Sequence, residues 1–211
     1  MGRGYDDPGA TNPAAYAYIR SMDNPLIAYL QLFRLIPEKD RSEIVSSFEA
    51  RTVKEGDSLF KGGKICREMF FISKGVLRII VTNDKGVEVI HYFLNENQFC
   101  TILGSFNSGV PADESIQAAC DAEVLAITRT GLLTLYGKIP YLKELIDQIN
   151  QQRLLHKIRI RNSYLGLDSS ARYQLFIMQQ PDIALRVPLR DIASYLEITP
   201  QSLSRIRKNI H

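Results

Sequence analysis

Near its C-terminus the chain carries a run whose side chains could read nucleic acid: Glu197-Ile198-Thr199-Pro200-Gln201-Ser202-Leu203-Ser204-Arg205-Ile206-Arg207-Lys208. Thr199 can cap a helix, because its hydroxyl accepts from an N–H that a helix start leaves without a partner. Pro200 suits the first helical position, where a missing N–H costs nothing. From there Leu203, Ile206 and Ile210 fall on one face, and Gln201, Ser202, Arg205 and Lys208 on the other. A short helix with an apolar seam behind and amide, hydroxyl and guanidinium groups in front has the chemistry that base edges in a major groove demand. Arg207 and Lys208 suit phosphate oxygens, which raise affinity more than specificity. The hydroxyls of Ser194 and Thr199 are expected to reach the same backbone oxygens.

Other chemistries lack their residues. A metal-dependent enzyme needs two or three histidines and a carboxylate converging on one face. Only His91 lies in the β-rich part of this chain; His156 and His211 lie outside it. A lone histidine in a strand-like run reads as structural rather than as a haem ligand. There is no Ser/His/Asp or Cys/His arrangement and no Gly-rich phosphate loop, so neither an enzyme nor a bound metal is expected. Cys66, Cys100 and Cys120 form no C-x-x-C and no metal-ligand spacing, which predicts buried free thiols in a cytoplasmic protein. No signal peptide is recognised, and no apolar stretch approaches the ~18 residues of a membrane span.

The elements that must position the C-terminal residues follow from charge and period. The formal net charge of +3 hides an asymmetry. Residues 1–151 carry a net −3, and residues 152–211, with ten Lys/Arg against four Asp/Glu, a net +6. A basic quarter behind a mildly acidic body suits a module that meets phosphates. Residues 1–24 read as a flexible arm. Pro25 opens an apolar segment, Leu26 to Ile36, and a short helix is expected over Glu38 to Phe48. From Glu49 to Thr128 come short β-rich runs, among them Glu68 to Ile72, Val76 to Thr82, Val87 to Phe93 and Glu123 to Thr128, cut by turn residues. Such spacing predicts a sandwich or barrel, with Asn83 to Gly86 as a hairpin turn. Helical period returns after Pro140, and Leu142, Leu145, Ile146, Ile149, Leu154 or Leu155, Ile158 and Leu165 form one stripe. A helix that long needs a partner surface, and a second copy of the chain is expected to supply it at Leu142, Leu145, Ile146, Ile149 and Ile158. A further helix, Ser170 to Gln180, offers Tyr173, Leu175, Phe176 and Met178. Pro188 opens Leu189 to Leu196, with Ile192, Ala193 and Leu196 inward. Glu197-Ile198-Thr199 is then the turn of a helix-turn-helix.

With these residues in view, the chain resembles the bacterial regulators that include the catabolite activator and the fumarate–nitrate regulator (Crp/Fnr), especially the branch common in Bacteroidetes. The resemblance rests on Val187-Pro188-Leu189-Arg190-Asp191-Ile192-Ala193-Ser194-Tyr195-Leu196 and on Ile198 to Ile206. In the roll it rests on Val53, Gly56 and Leu59, Phe71-Ile72-Ser73-Lys74-Gly75 and Asp121-Ala122-Glu123-Val124-Leu125. It implies an α+β fold: a cyclic-nucleotide-binding-like, cupin-like β-roll (jelly-roll) over 25–138, a dimerisation helix over 139–165 and a helix-turn-helix domain over 166–211. The sequence reaches His211 one residue beyond Ile210, so no C-terminal wing is expected. The resemblance further implies a homodimer on a near-palindromic duplex, recruiting or blocking RNA polymerase. Gln201, Ser202 and Arg205 would face the bases. Arg205 matches an arginine that reads guanine, a bidentate pair worth about 1–3 kcal/mol of discrimination. Pro200-Gln201 stands where the family often has Arg-Glu, so the preferred site should differ.

Relatives that bind cyclic AMP carry Gly-Glu after an aromatic residue and an arginine shortly before a Thr-Val-x-Ala strand. The matching segment here runs from Phe99-Cys100-Thr101 to Ala112-Asp113-Glu114-Ser115. Cys100-Thr101 replaces Gly-Glu, Ala112 replaces the arginine, and Asp113 and Glu114 add negative charge. A phosphate beside carboxylates with no cation is unfavourable. The pocket is therefore expected to be degenerate, with no cofactor and any small-molecule effector being something other than cyclic AMP. The competing reading is a small-molecule-binding or protein-interaction module of the same fold that has lost independent DNA binding.

Overall fold

Alternation along the strands sets the architecture. In β4 (Leu77–Thr82) Leu77 and Ile79 point into one core while Ile80 and the preceding Val76 point into another. In β3 (Glu68–Lys74) Phe70 and Ile72 join Leu77 and Ile79, whereas Met69 and Phe71 face a third cluster. β3 and β4 thus bury both of their faces, which is why these two strands read as nearly continuous apolar runs.

The computed structural model describes residues 24–210, the side chain of Ile210 excepted; the arm expected over 1–24 lies outside these residues apart from Asn24. The Asn24 side chain caps α1 (Pro25–Leu30), accepting from the N–H groups of Leu26 and Ile27. After α2 (Glu38–Ser46) come β1 (Glu49–Val53), β2 (Ser58–Phe60), β3, β4, β5 (Glu88–Leu94), β6 (Phe99–Cys100), α3 (Leu103–Ser108), β7 (Ser115–Ala118) and β8 (Ala122–Thr128). One antiparallel sheet has the order β1-β8-β3-β6, the other β2-β7-β4-β5. The hairpin expected at Asn83–Gly86 joins β4 to β5: the Asn83 side chain accepts from the N–H of Lys85 and of Val87, and Gly86 takes φ +75°. Gly75 turns β3 into β4 at φ +94°, where an added Cβ would sit 2.5 Å from the Asp121 carbonyl oxygen.

Six helices follow among the described residues: α4 (Arg129–Lys138), α5 (Pro140–Ser163), α6 (Ser169–Gln179), α7 (Pro181–Arg186), α8 (Leu189–Tyr195) and α9 (Pro200–Ile210). None of the described helices is long and apolar enough to cross a membrane. The first half of α5 packs Leu142, Leu145, Ile146 and Ile149 against α1, α4, Met69 and Phe71. The helices α6 to α9 close around Phe176, Ile192, Tyr195 and Leu203, and the same cluster takes in Val76, Ile80, Ile90 and Phe93 from the outer face of the roll. A bulge makes this joint: β4 pairs Ile80 with Ile90 but Ile79 with Tyr92, leaving His91 as the extra residue. The inserted residue shifts the alternation, so that Ile90 and Phe93 both face the helices while Leu94 faces the roll interior. Met178, expected among the apolar contacts of α6, is instead 76% exposed.

Candidate nucleic-acid interface and ligand cassette

The reading helix is held by its back and its start. Leu203 is fully buried against α6 and α8, and Ile206 is half-buried beside it. Ser202 donates its N–H to Thr199 Oγ1 at 3.1 Å, and the Thr199 hydroxyl donates to Ser202 Oγ at 2.9 Å. The turn before it requires a left-handed residue, and Glu197 takes φ +57°. Arg161 of α5 fastens that turn, donating to the Tyr195 carbonyl and to Glu197 Oε1 at 2.6 Å.

Gln201, Arg205 and Lys208 stand together on the outer face of α9, all exposed, with Ser204 and Asn209 beside them. The helical repeat puts Gln201 and Arg205 one turn apart in line. The other residues expected to touch DNA also make contacts within the chain. Arg207, one turn beyond buried Leu203, lines an apolar groove with Tyr173, Ile177, Leu189 and Ile192 on the flank of the module. Ser202 and Thr199 bond to each other at the helix start. Ser194 Oγ accepts the Ile90 N–H of β5 at 3.0 Å, which turns it toward the roll. The reason is the docking of α8 on β5, which sequence period could not foresee.

That docking rests on a buried ion pair absent from the expectations. Arg78, on the outer face of β4, donates to Asp191 of α8 and, at 2.9 Å, to Gln117 Oε1; the two charged residues are 8% and 6% exposed. A second tie joins Arg186 at the end of α7 to Glu96, whose other oxygen contact is the Gly75 N–H at 2.7 Å. Burial pushes the Glu96 carboxyl up, but these hydrogen bonds outweigh it and hold its pKa below the ordinary 4.5.

The cassette segment is closed on itself. Phe99 packs on Phe71, ring centroids 5.2 Å apart, and belongs to the core under α5. Cys100 lies in the roll interior, where burial pushes its thiol up to about 12. Thr101 donates to the Glu68 carbonyl at 2.8 Å. Ala112 pairs through its backbone with Lys64 and Gly63, and Ser115 Oγ accepts from the Gly62 N–H at 3.0 Å. A Cβ on Gly62 would meet the Asp113 carbonyl oxygen at 2.5 Å. Asp113 is exposed and Glu114 half-buried, and no arginine or lysine stands among the cassette positions. Ser105, in α3 between the two arms, accepts from the Cys66 N–H and donates to the Val110 carbonyl. Burial, ahead of repulsion from Arg161 and Lys157, lowers the pKa of His91. Among the described residues, no group of three His, Cys, Asp or Glu side chains could hold a metal ion.

The expected subunit seam needs correction. Leu142, Leu145, Ile146 and Ile149 are at most 5% exposed within the single chain, so they face its own core and not a second copy. Of the five residues expected there only Ile158 stays open, at 42%, together with Leu154 at 45% and Leu155 at 51%.

A roll of this order followed by a long helix and a helix-turn-helix defines a class. Residues 50–138 match the family described as the cyclic nucleotide-binding domain. Solved structures share the architecture across most of the chain. The c-di-GMP responsive global regulator CLP of Xanthomonas campestris is 15% identical with a TM-score of 0.64, over 82% of this chain and 91% of its own. A protein of Eubacterium rectale described as a crp/fnr-family transcriptional regulator is 18% identical with a TM-score of 0.62, over 86% of each chain. The catabolite activator protein of Thermus thermophilus is 19% identical with a TM-score of 0.51, also over 86% of each. At such identities the likeness is one of fold. No curated protein matches the chain by sequence.

Proposed function

We propose that this chain is a Crp/Fnr-type transcriptional regulator: a cytoplasmic homodimer that binds a near-palindromic DNA duplex and acts on RNA polymerase there. The observation that carries the reading is the exposed row of Gln201, Arg205 and Lys208 on a helix whose back is locked by Leu203. Such a row can enter a major groove with Arg205 on guanine and Lys208 nearer phosphate. The second copy docks along Leu154, Leu155 and Ile158, three apolar side chains in the second half of α5 that the described residues leave exposed. In this reading the cassette takes no cyclic AMP, because its positions offer carboxylates and no cation.

The test is selection of bound sequences from a random duplex library with the full chain, repeated with Arg205→Ala. The expected result is a motif of two half-sites about 10 base pairs apart, weakened at one base pair per half by the substitution. Absence of enrichment at low salt, where phosphate contacts are strongest, would instead favour a module of the same fold that does not bind DNA. Calorimetry with cyclic AMP should register no saturable heat.

A further inference from the structure

The helix-turn-helix module leaves an apolar groove open on its flank. Helix α7 has six residues, and its Ile183 enters the same core as Phe176. Side chains two apart on a helix point in nearly opposite directions, so Leu185 is turned outward and is 85% exposed. It lines a groove of about 470 Å³ together with Tyr173 and Ile177 of α6, Leu189 of α8 and Val187 from the turn before α8. Eight of the nine lining residues are aliphatic or aromatic.

The ninth is Arg207, exposed and one turn beyond buried Leu203. No carboxylate stands among the lining residues, and among the described residues the Arg207 guanidinium has no ion pair or hydrogen bond. A planar fork of N–H donors beside an apolar trough is the complement of a carboxylate on a hydrocarbon tail, because a guanidinium can hold a carboxylate with two parallel bonds. Size separates a small occupant from a protein. The volume falls within the ~300–1,000 Å³ of small-molecule pockets. A stable protein partner or a second copy needs about 20–30 residues a side, and nine line this groove.

We propose that the groove is a binding site for an amphiphilic carboxylate, a medium-length alkanoate whose head meets Arg207 and whose tail lies along Ile177, Leu185 and Leu189. The site is built from α6 to α9 and the turns between them, apart from the roll and its cassette. It stands whether or not α9 reads DNA.

The experiment is calorimetric titration of the full chain with sodium decanoate, kept below the concentration at which it forms micelles. Saturable binding of one decanoate per chain is expected, about tenfold tighter than octanoate, because each buried methylene is worth roughly fourfold in affinity. Decyltrimethylammonium, with the same tail and the opposite charge, should bind about tenfold more weakly, since its head repels Arg207 instead of bonding to it. Arg207→Met should weaken decanoate binding about tenfold or more, as loss of a charged hydrogen-bond partner does, and Arg207→Lys should restore part of it. Leu185→Asp sets a carboxylate in the wall and should abolish saturation. Lys143→Met, on the exposed face of α5, should change nothing. Both groove positions are exposed, so these variants should keep the circular dichroism of the wild type; where Arg207→Met does not, Arg207→Gln carries the comparison. No saturation by decanoate, equal binding of octanoate or decyltrimethylammonium, or equal binding by wild type and a folded Arg207 variant would overturn the proposal. So would a change of oligomeric state in Leu185→Asp by sedimentation, which would give the groove to a second copy. No DNA enters the titration, so its outcome is separable from operator selection.

Discussion

Replacing Asp191 with alanine should destabilise the chain by about 3 kcal/mol. Breaking a buried ion pair from one side leaves the other charge uncompensated, which costs about 3–5 kcal/mol. Here Arg78 keeps its bond to Gln117 Oε1, so the lower end applies. For a chain of this length each kcal/mol moves the melting temperature by about 2–4 °C, which gives a fall of about 6–12 °C. The chain contains no tryptophan, so urea unfolding at pH 7 is best followed by far-ultraviolet circular dichroism. Asp147→Ala is the control. Its pair with Lys143 is exposed on both sides, and exposed pairs contribute about 0–1 kcal/mol. The double variant Arg78→Leu/Asp191→Leu should recover most of the loss, since Val76 and Ile80 already make that face apolar and apolar replacement of a buried pair is often neutral. An Asp191→Ala chain no less stable than Asp147→Ala would refute the reasoning and with it the importance of the Arg78 joint.

Glu197→Gly should be more stable than Glu197→Ala by about 1 kcal/mol, because φ +57° strains any residue with a Cβ and both variants lose the Arg161 pair equally; thermal melts giving alanine the advantage would count against the left-handed turn. The Glu96 carboxyl, held below 4.5 in the folded chain by Arg186 and the Gly75 N–H, contributes stability that is full above 4.5 and lost as pH falls through its lower folded value. The stability gap between wild type and Glu96→Gln should therefore shrink on acidification from pH 5 downward, and a gap constant with pH would exclude the linkage.

The reading helix is legible because its signals are local: a cap at Thr199, Pro200 at the first position and an apolar seam through Leu203. Strands β3, β4, β5 and β8 are legible for the same reason, since turn residues bracket their apolar runs. The short strands β1, β2, β6 and β7 carry too few residues for a period to declare itself. Helix α4 is masked by Gly131 and Gly137, although Thr128 caps it through the Gly131 N–H. Helix α7 has only Pro181 to announce six residues. The stripe on α5 misleads in an instructive way. Its period says that one face is covered but not whose atoms cover it, and the first half is covered by α1 and α4 of the same chain. The Arg78–Asp191 pair joins positions 113 apart. Its only trace is an arginine interrupting the apolar run of β4, together with an aspartate in the first turn of α8. Ser194 is similar, a hydroxyl in a motif where its partner is a strand amide far away.

The bond from Ile90 to Ser194 has a meaning for solubility. β5 is the outermost strand of its sheet, and such a strand presents unpaired amides to which another chain can add itself. The helix-turn-helix module occupies that flank, taking the Ile90 N–H with a hydroxyl and covering Ile90 and Phe93 with Tyr195. The part of the molecule that would meet DNA is thus also the guard of the roll's open border. A roll severed from it would display a bare β rim and an aromatic patch, the combination from which strand-to-strand aggregation starts.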